Sequence, residues 1–118
     1  MAMRHCHIAA LVCALLLFSQ GPAIANTEPV PAQIASHLHG AFIAEAAQRF
    51  GIPAPWIVEV MRAESANDPR AVSHAGAMGL MQVMPGTWAA LRARHGLGDD
   101  PHDPRDNILA GTAYLREM

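Results

Sequence analysis

Glycine and proline residues divide the chain after residue 32 into segments whose apolar residues recur at the spacing of an α-helix. Ile34, Leu38, Ala41 and Phe42 follow this spacing, and Gly51 is suited to end the first helix. No segment shows the sustained alternation of a half-buried strand, and no repeat or low-complexity tract is present. We therefore predict an all-α domain with little or no β-structure.

The next boundaries follow from the same residue types. A second helix is predicted to begin near Pro53 or Pro55 and to run to about Ala66, where Asn67-Asp68-Pro69 interrupts it. Asp68 is expected to cap that turn. Residues 70–79 contain two glycines and no sustained period, which is typical of an ordered loop.

The second half of the chain contains two further predicted helices. Residues 80–84 are expected to form a short helical turn that Pro85 stops. Thr87 is then expected to cap a third helix, which ends at Gly96. For the last helix, Asp103 is the predicted N-cap and the proline that follows it is the first helical residue.

The first 25 residues have the features of a secretory signal peptide. Arg4 supplies a positive start, residues 8–18 form an apolar run too short to span a bilayer as a helix, and Ala23-Ile24-Ala25 fits the cleavage rule. We expect cleavage after Ala25. An uncleaved membrane anchor is the alternative, while a lipid-modified Cys13 is disfavoured because Val12, rather than a small residue, precedes it.

Cleavage would leave 118 − 25 = 93 residues, with a flexible lead-in over residues 26–32 and a helical domain over residues 33–118. Both cysteines, Cys6 and Cys13, would be removed, so the fold would have to rest on packing alone. All eight basic residues are arginines, and the loss of Arg4 changes the formal net charge from −2 to −3. No basic cluster is present, which argues against a nucleic-acid partner.

Glu64 is the most informative position because it falls on the apolar face of the second helix. At about 100° per residue, Glu64 lies between Val60 and Met61, whereas Glu59 lies on the opposite face. Desolvation, together with the negative end of the helix dipole, is expected to raise the pKa of Glu64. Such a carboxyl suits general acid catalysis. The alternative, which spacing leaves open, is a glutamate that reaches solvent or pairs with Arg62.

Three ordered motifs resemble those of the lytic transglycosylase family, in its soluble lytic transglycosylase (SLT) domain form. The similarity runs from about Phe42 to Met118, and its order and spacing disfavour a chance match to an unrelated exported helical protein. The motifs are Ala63-Glu64-Ser65 with residues 68–73, Gly76-Ala77-Met78-Gly79-Leu80-Met81-Gln82-Val83-Met84-Pro85, and Asp103-Pro104 with Asn107-Ile108, Gly111 and Tyr114-Leu115.

This resemblance implies a lysozyme-like helical fold and a periplasmic enzyme that acts on peptidoglycan glycan strands. Glu64 would be the single acid/base, with Ser65 helping to hold the leaving or attacking groups. In this family the β-1,4 bond between N-acetylmuramic acid and N-acetylglucosamine is cleaved to a 1,6-anhydro product, without a metal or organic cofactor. The expected cleft-lining residues are Gly79, Leu80, Met81 and Gln82.

The chain also departs from the family pattern. The family continues into a helical segment with an Ala-Tyr-Asn-Ala-Gly motif, and this sequence ends at Met118 before any such motif. Tyr114 matches an earlier tyrosine of the family. We therefore expect a domain that lacks its C-terminal portion, and a non-catalytic, glycan-binding or accessory remnant is the alternative to an enzyme. A secretion or conjugation assembly is a further expected partner.

Three other features have interpretations of their own. Trp88 is expected in the core, and the Gln82 amide, if buried, needs partners that a sugar acetamide could supply. The polar loop over residues 97–102 and its neighbours match no zinc pattern, so we expect no functional metal, with weak calcium binding as the alternative. The residues that prompt this metal hypothesis are His95, Asp99, Asp100, His102 and Asp103.

Overall fold

The computed structural model describes residues 30–118, with side chains described from residue 38 onwards. This part of the chain forms four helices, α1 (Val30–Phe50), α2 (Ala54–Ser65), α3 (Pro85–His95) and α4 (Pro104–Glu117). The predicted signal peptide and its cleavage site lie outside the described residues. The expected lead-in lies partly outside them, and its residues 30–32 belong to α1.

Each of the first three helices is followed by a residue in the left-handed backbone conformation. Gly51 and Gly96 have φ angles of +65° and +64°, as their predicted role at a helix end requires. Ala66, with φ of +51°, follows α2, and its N–H donates to the carbonyl of Arg62. An L-residue is strained in this conformation, so the C-terminal turn of α2 is held by its surroundings rather than by local preference.

The segment between α2 and α3 differs from the prediction. Residues 80–84 do not form a helical turn. Instead, Met78 and Val83 exchange two backbone hydrogen bonds of 3.0 Å and close a tight turn, here called the 78–83 turn. Gln82 within it has φ of +52°, which no α-helical turn contains. In the described residues β-structure is confined to isolated bridges, so the all-α prediction is confirmed for this range.

The start of α3 also differs from the prediction. The helix begins at Pro85 and not at Thr87. Met84 precedes it in an extended conformation, and the fixed φ of proline suits the first helical position, where its missing N–H costs nothing. Pro85 therefore starts this helix instead of stopping the segment before it.

The last helix, α4, lies at the centre of the domain. It packs against α1 and α3, and every residue from 106 to 113 is buried. Asp103 caps it as predicted, because its Oδ1 accepts a hydrogen bond of 2.9 Å from the N–H of Asp106. The core around α4 is made of apolar side chains from all four helices and the 78–83 turn, namely Ile43, Ala46, Ile57, Val60, Met61, Leu80, Met81, Val83, Trp88, Leu91, Ile108, Leu109, Ala110 and Ala113.

The buried face of α1 is not the one that the spacing suggested. Leu38 is 70% exposed, whereas Ile43 and Ala46 are buried. Packing against α4 determines which face of α1 is buried. Glu45 of α1 also forms an ion pair with Arg105 of α4, in which Nε of Arg105 lies 2.9 Å from Oε2 of Glu45. In the part of the chain described here, no helix combines the length and apolar character needed to cross a bilayer.

Candidate active site

Glu64 lies in the last turn of α2, next to the core. Ile57, Val60 and Met61 bury their side chains on the same helix. Glu64 is half-buried, and its Oε1 atom is enclosed without a hydrogen-bond partner. Loss of solvent contact raises the pKa of this carboxyl from 4.5 to about 7. The raised pKa expected from the helical wheel is thus confirmed, with desolvation as its cause.

The second acid of α2 has a different environment. Glu59 accepts hydrogen bonds from Arg62, at 2.7 Å from Nη2 and 3.2 Å from Nε, and the pair is exposed. Arg62 is therefore engaged with Glu59, and the alternative in which it pairs with Glu64 is wrong. Burial therefore distinguishes Glu64 from Glu59 and lets Glu64 hold a proton near neutral pH.

Ser65 connects the end of α2 to the 78–83 turn. Its Oγ lies 2.8 Å from the carbonyl oxygen of Leu80 and 3.0 Å from that of Met61, and its single proton is shared between them. The oxygen of the hydroxyl keeps lone pairs with which it can accept a further hydrogen bond. Ser65 thus fixes the turn beside Glu64.

The predicted cleft-lining residues lie together in the 78–83 turn, with their side chains turned inward. Leu80 and Met81 are fully buried, backbone included, so they support the turn from the core and expose no atom at its surface. The Gln82 side chain is 4% exposed, and its Nε2 donates to the carbonyls of Ala71 and Gly79 at 3.1 and 3.0 Å. Backbone carbonyls of the protein therefore accept the hydrogen bonds of the Gln82 amide nitrogen, and a sugar acetamide is not needed for that purpose.

Asn107 belongs to the third motif, but no role is predicted for its side chain. It is fully buried in α4, and its Oδ1 accepts a hydrogen bond of 2.7 Å from the N–H of Met81. Its Nδ2 donates to the carbonyls of Met78 and Pro101, at 2.9 and 2.8 Å. The signal that could have identified Asn107 is its carboxamide within the third motif, directly before the apolar residues Ile108, Leu109 and Ala110.

Two glycines allow α4 and the 78–83 turn to approach each other closely. A Cβ at Gly79, whose φ is +76°, would lie 2.7 Å from Cγ of Asn107. A Cβ at Gly111, one helical turn after Asn107, would lie 2.6 Å from Cγ of Met81. Both distances are shorter than van der Waals contact allows, so the backbone geometry requires glycine at these positions.

The turn after Glu64 is held by polar contacts of its own. Oδ1 of Asp68 accepts a hydrogen bond of 2.9 Å from the N–H of Arg70, which confirms its capping role. Nδ1 of His102 lies 3.0 Å from the carbonyl oxygen of Pro69. Among the described residues, no three His, Cys, Asp or Glu side chains come close enough together to hold a metal ion. Trp88 is buried in the core, as expected.

Comparison with known proteins places this geometry in a family. The model of the transglycosylase SLT domain matches residues 41–118. The membrane-bound lytic murein transglycosylase C of Haemophilus influenzae (strain PittGG) is 41% identical over 104 residues, which are 83% of this chain and 28% of the relative. The chain thus spans just over a quarter of the length of that relative.

Two solved structures resemble the fold. An inactive glutamate-to-glutamine mutant of the lytic transglycosylase Slt from Pseudomonas aeruginosa has a TM-score of 0.62 and 35% identity, covering 67% of this chain and 14% of that one. The 70-kDa soluble lytic transglycosylase in complex with bulgecin A has a TM-score of 0.63 and 29% identity, covering 74% and 15%. The predicted lysozyme-like helical fold is thereby confirmed. With its match over residues 41–118, this chain belongs to the SLT domain family of lytic transglycosylases.

Proposed function

We propose that this chain cleaves the β-1,4 bond between N-acetylmuramic acid and N-acetylglucosamine in peptidoglycan and forms a 1,6-anhydromuramoyl product. The observation that carries the proposal is the half-buried carboxyl of Glu64, whose pKa of about 7 lets it hold a proton near neutral pH. The family membership and the names of the relatives, which are lytic transglycosylases, support the same chemistry.

The reaction needs one carboxyl group in two roles. Protonated Glu64 donates its proton to the glycosidic oxygen as the bond from that oxygen to C1 breaks. The C6 hydroxyl oxygen of the muramoyl residue then bonds to C1, and its proton passes to the Glu64 carboxylate, which restores the acid. No water is consumed, and the intramolecular attack replaces the second carboxylate that most glycosidases require.

The remaining predicted site residues have supporting roles in this proposal. Ser65 holds the turn beside Glu64 and offers its lone pairs to substrate hydroxyl groups. The 78–83 turn backs the cleft in this proposal, with Gly79, Leu80 and Met81 supporting it from the core and Gln82 bracing it from inside. No cofactor takes part.

We also propose that the chain acts on the cell wall in the envelope, in the periplasm. The relative from Haemophilus influenzae is described as membrane-bound, and the predicted signal peptide would direct export. Local opening of the wall for a secretion or conjugation assembly stays a prediction.

Incubation of the purified chain with peptidoglycan sacculi tests the proposal. Mass spectrometry of the soluble products should find muropeptides with 1,6-anhydro ends, each lighter by one water than the product of a hydrolytic muramidase run in parallel. Products with reducing ends would contradict the transglycosylase mechanism. Binding to sacculi without any cleavage would instead support the alternative of a glycan-binding module.

The rate of product formation should depend on pH through Glu64. Because the reaction starts from the protonated carboxyl, whose pKa is about 7, the rate should be highest below that value. Above it, the rate should fall by about tenfold per pH unit as the proton is lost. Initial rates between pH 4 and 9 would show this limb, and a midpoint near 4.5, the ordinary value for glutamic acid, would contradict the assignment.

A further inference from the structure

The face of α4 that meets the 78–83 turn combines two features one helical turn apart. Gly111 brings the backbone of α4 against Met81, and Asn107 supplies hydrogen bonds to the same turn. The three backbone groups that Asn107 satisfies lie in two separate segments, since Met78 and Met81 belong to the turn and Pro101 to the loop before α4. One side chain therefore joins three parts of the chain.

From this turn, a short series of contacts leads to the acid. Met81, whose N–H donates to Asn107, follows Leu80, whose carbonyl accepts the Ser65 hydroxyl at 2.8 Å. Ser65 is the neighbour of Glu64 on α2. We propose that Asn107 is a positioning residue for catalysis, which holds the 78–83 turn and Ser65 in place and so keeps Glu64 in its water-poor environment.

The chemistry of the contact requires a carboxamide. The site presents one N–H donor and two carbonyl acceptors, and a carboxamide is the side-chain group of this size with an acceptor oxygen and two donor hydrogens. Aspartate would place an oxygen against the carbonyls of Met78 and Pro101. Leucine has a similar volume but would remove the partner of the Met81 N–H and of the Pro101 carbonyl, and would leave the Met78 carbonyl with the Val83 N–H alone, which is unfavourable.

Thr112 offers a matched control on the same helix. It is also fully buried, and its Oγ1 donates to the carbonyl of Ile108 at 2.7 Å. That contact lies within α4, so Thr112→Val removes a buried polar group without changing a contact to the turn. Asn107→Leu removes a buried polar group together with all three contacts to other segments.

The test is a carbon-13 NMR titration of the Glu64 carboxyl in the whole chain. In Asn107→Leu, water should reach the carboxyl, and its pKa should fall by at least about one unit from the wild-type value, whereas Thr112→Val should change it by less than about 0.3 units. Equal pKa values in wild type and Asn107→Leu would overturn the proposal. The same holds if both variants show equal shifts, because the effect would then follow from lost stability alone.

A measurement on the unaltered chain covers the case in which Asn107→Leu does not fold. The Asn107 side-chain amide and the Met81 backbone amide should change their NMR shifts with pH at the midpoint of the Glu64 titration. In Glu64→Gln the same two amides should no longer respond at that midpoint, which separates the effect of Glu64 from that of the histidines. Asn107 and Met81 signals that do not respond would contradict the coupling.

The inference rests on the proposed role of Glu64, but the two fail in different ways. The titrations need no substrate, so a shifted pKa without anhydro products from the wild type would leave the coupling standing and remove the proposed activity. Anhydro products from the wild type, with a Glu64 pKa that is the same in Asn107→Leu, would leave the activity standing and remove the coupling.

Discussion

Replacing Glu64 with glutamine is expected to slow the formation of 1,6-anhydro products by about 10²- to 10⁴-fold, the usual contribution of a general acid or base. Glutamine keeps the shape of the side chain but cannot transfer the proton. The same substitution should also make the folded chain more stable at pH 8. Mass spectrometry of digested sacculi measures the first effect, and chemical denaturation at two pH values measures the second.

The gain in stability follows from the pKa of the acid. Burial raises the pKa of Glu64 from 4.5 to about 7, so between these values the folded chain binds a proton that the unfolded chain releases. The stability that this proton provides is complete below pH 4.5 and lost as the pH rises through 7. The full shift corresponds to about 3 kcal/mol, which partial exposure reduces to about 1–2 kcal/mol. Glutamine carries no charge, so Glu64→Gln should gain this amount at pH 8 and almost nothing at pH 4.

Glu59→Gln provides the matched control on the same helix. It removes an exposed acid that pairs with Arg62, so product formation should be unchanged and stability should fall by no more than about 1 kcal/mol. A Glu64→Gln chain that retains activity, or whose stability relative to wild type is the same at pH 4 and pH 8, would contradict the assignment of Glu64 as a desolvated acid.

Gly111→Ala is expected to destabilise the fold by about 1–3 kcal/mol or more, as overpacking of a core does. In an exposed helix the same change would stabilise by up to about 1 kcal/mol, because alanine is the better helix former. Here the added Cβ would lie 2.6 Å from Cγ of Met81, in a turn that Asn107 and Ser65 hold in place. Denaturant unfolding followed by circular dichroism would measure the loss.

Gly40→Ala in α1 is expected to change the stability of the fold in the opposite direction. A Cβ at Gly40 would meet no atom within 4 Å, so the substitution should stabilise the chain by about 0.5–1 kcal/mol. Two glycines inside helices would then respond in opposite directions to one substitution. If Gly111→Ala were also neutral or stabilising, the close approach of α4 to the turn would be refuted.

The sequence could predict those features of the site that depend on neighbouring residues. The helical wheel separates Glu64 from Glu59 because both lie on one helix, and Gly51 and Gly96 mark helix ends because their φ preference is local. The position of Asp103 as N-cap is local as well. These predictions are confirmed because no distant contact competes with them.

The features that the sequence did not reveal depend on distant residues. Asn107 binds the turn across 26 and 29 residues of chain, and nothing near it in sequence indicates which backbone groups it satisfies. The buried face of α1 is chosen by its packing on α4, which leaves Leu38 exposed. The apolar run over residues 80–84 suggested helix, but the bonds between Met78 and Val83 impose a tight turn.

The position of α4 late in the sequence also matters for folding and for its dependence on pH. The helical turns of α2 and the 78–83 turn involve near neighbours and can form early, whereas the contact between Met81 and Asn107 requires a helix 26 residues further on. In the unfolded chain the Glu64 carboxyl is hydrated and ionised at neutral pH. Folding near pH 6 is accompanied by uptake of a proton at Glu64, so the folded chain is favoured as the solution becomes more acidic.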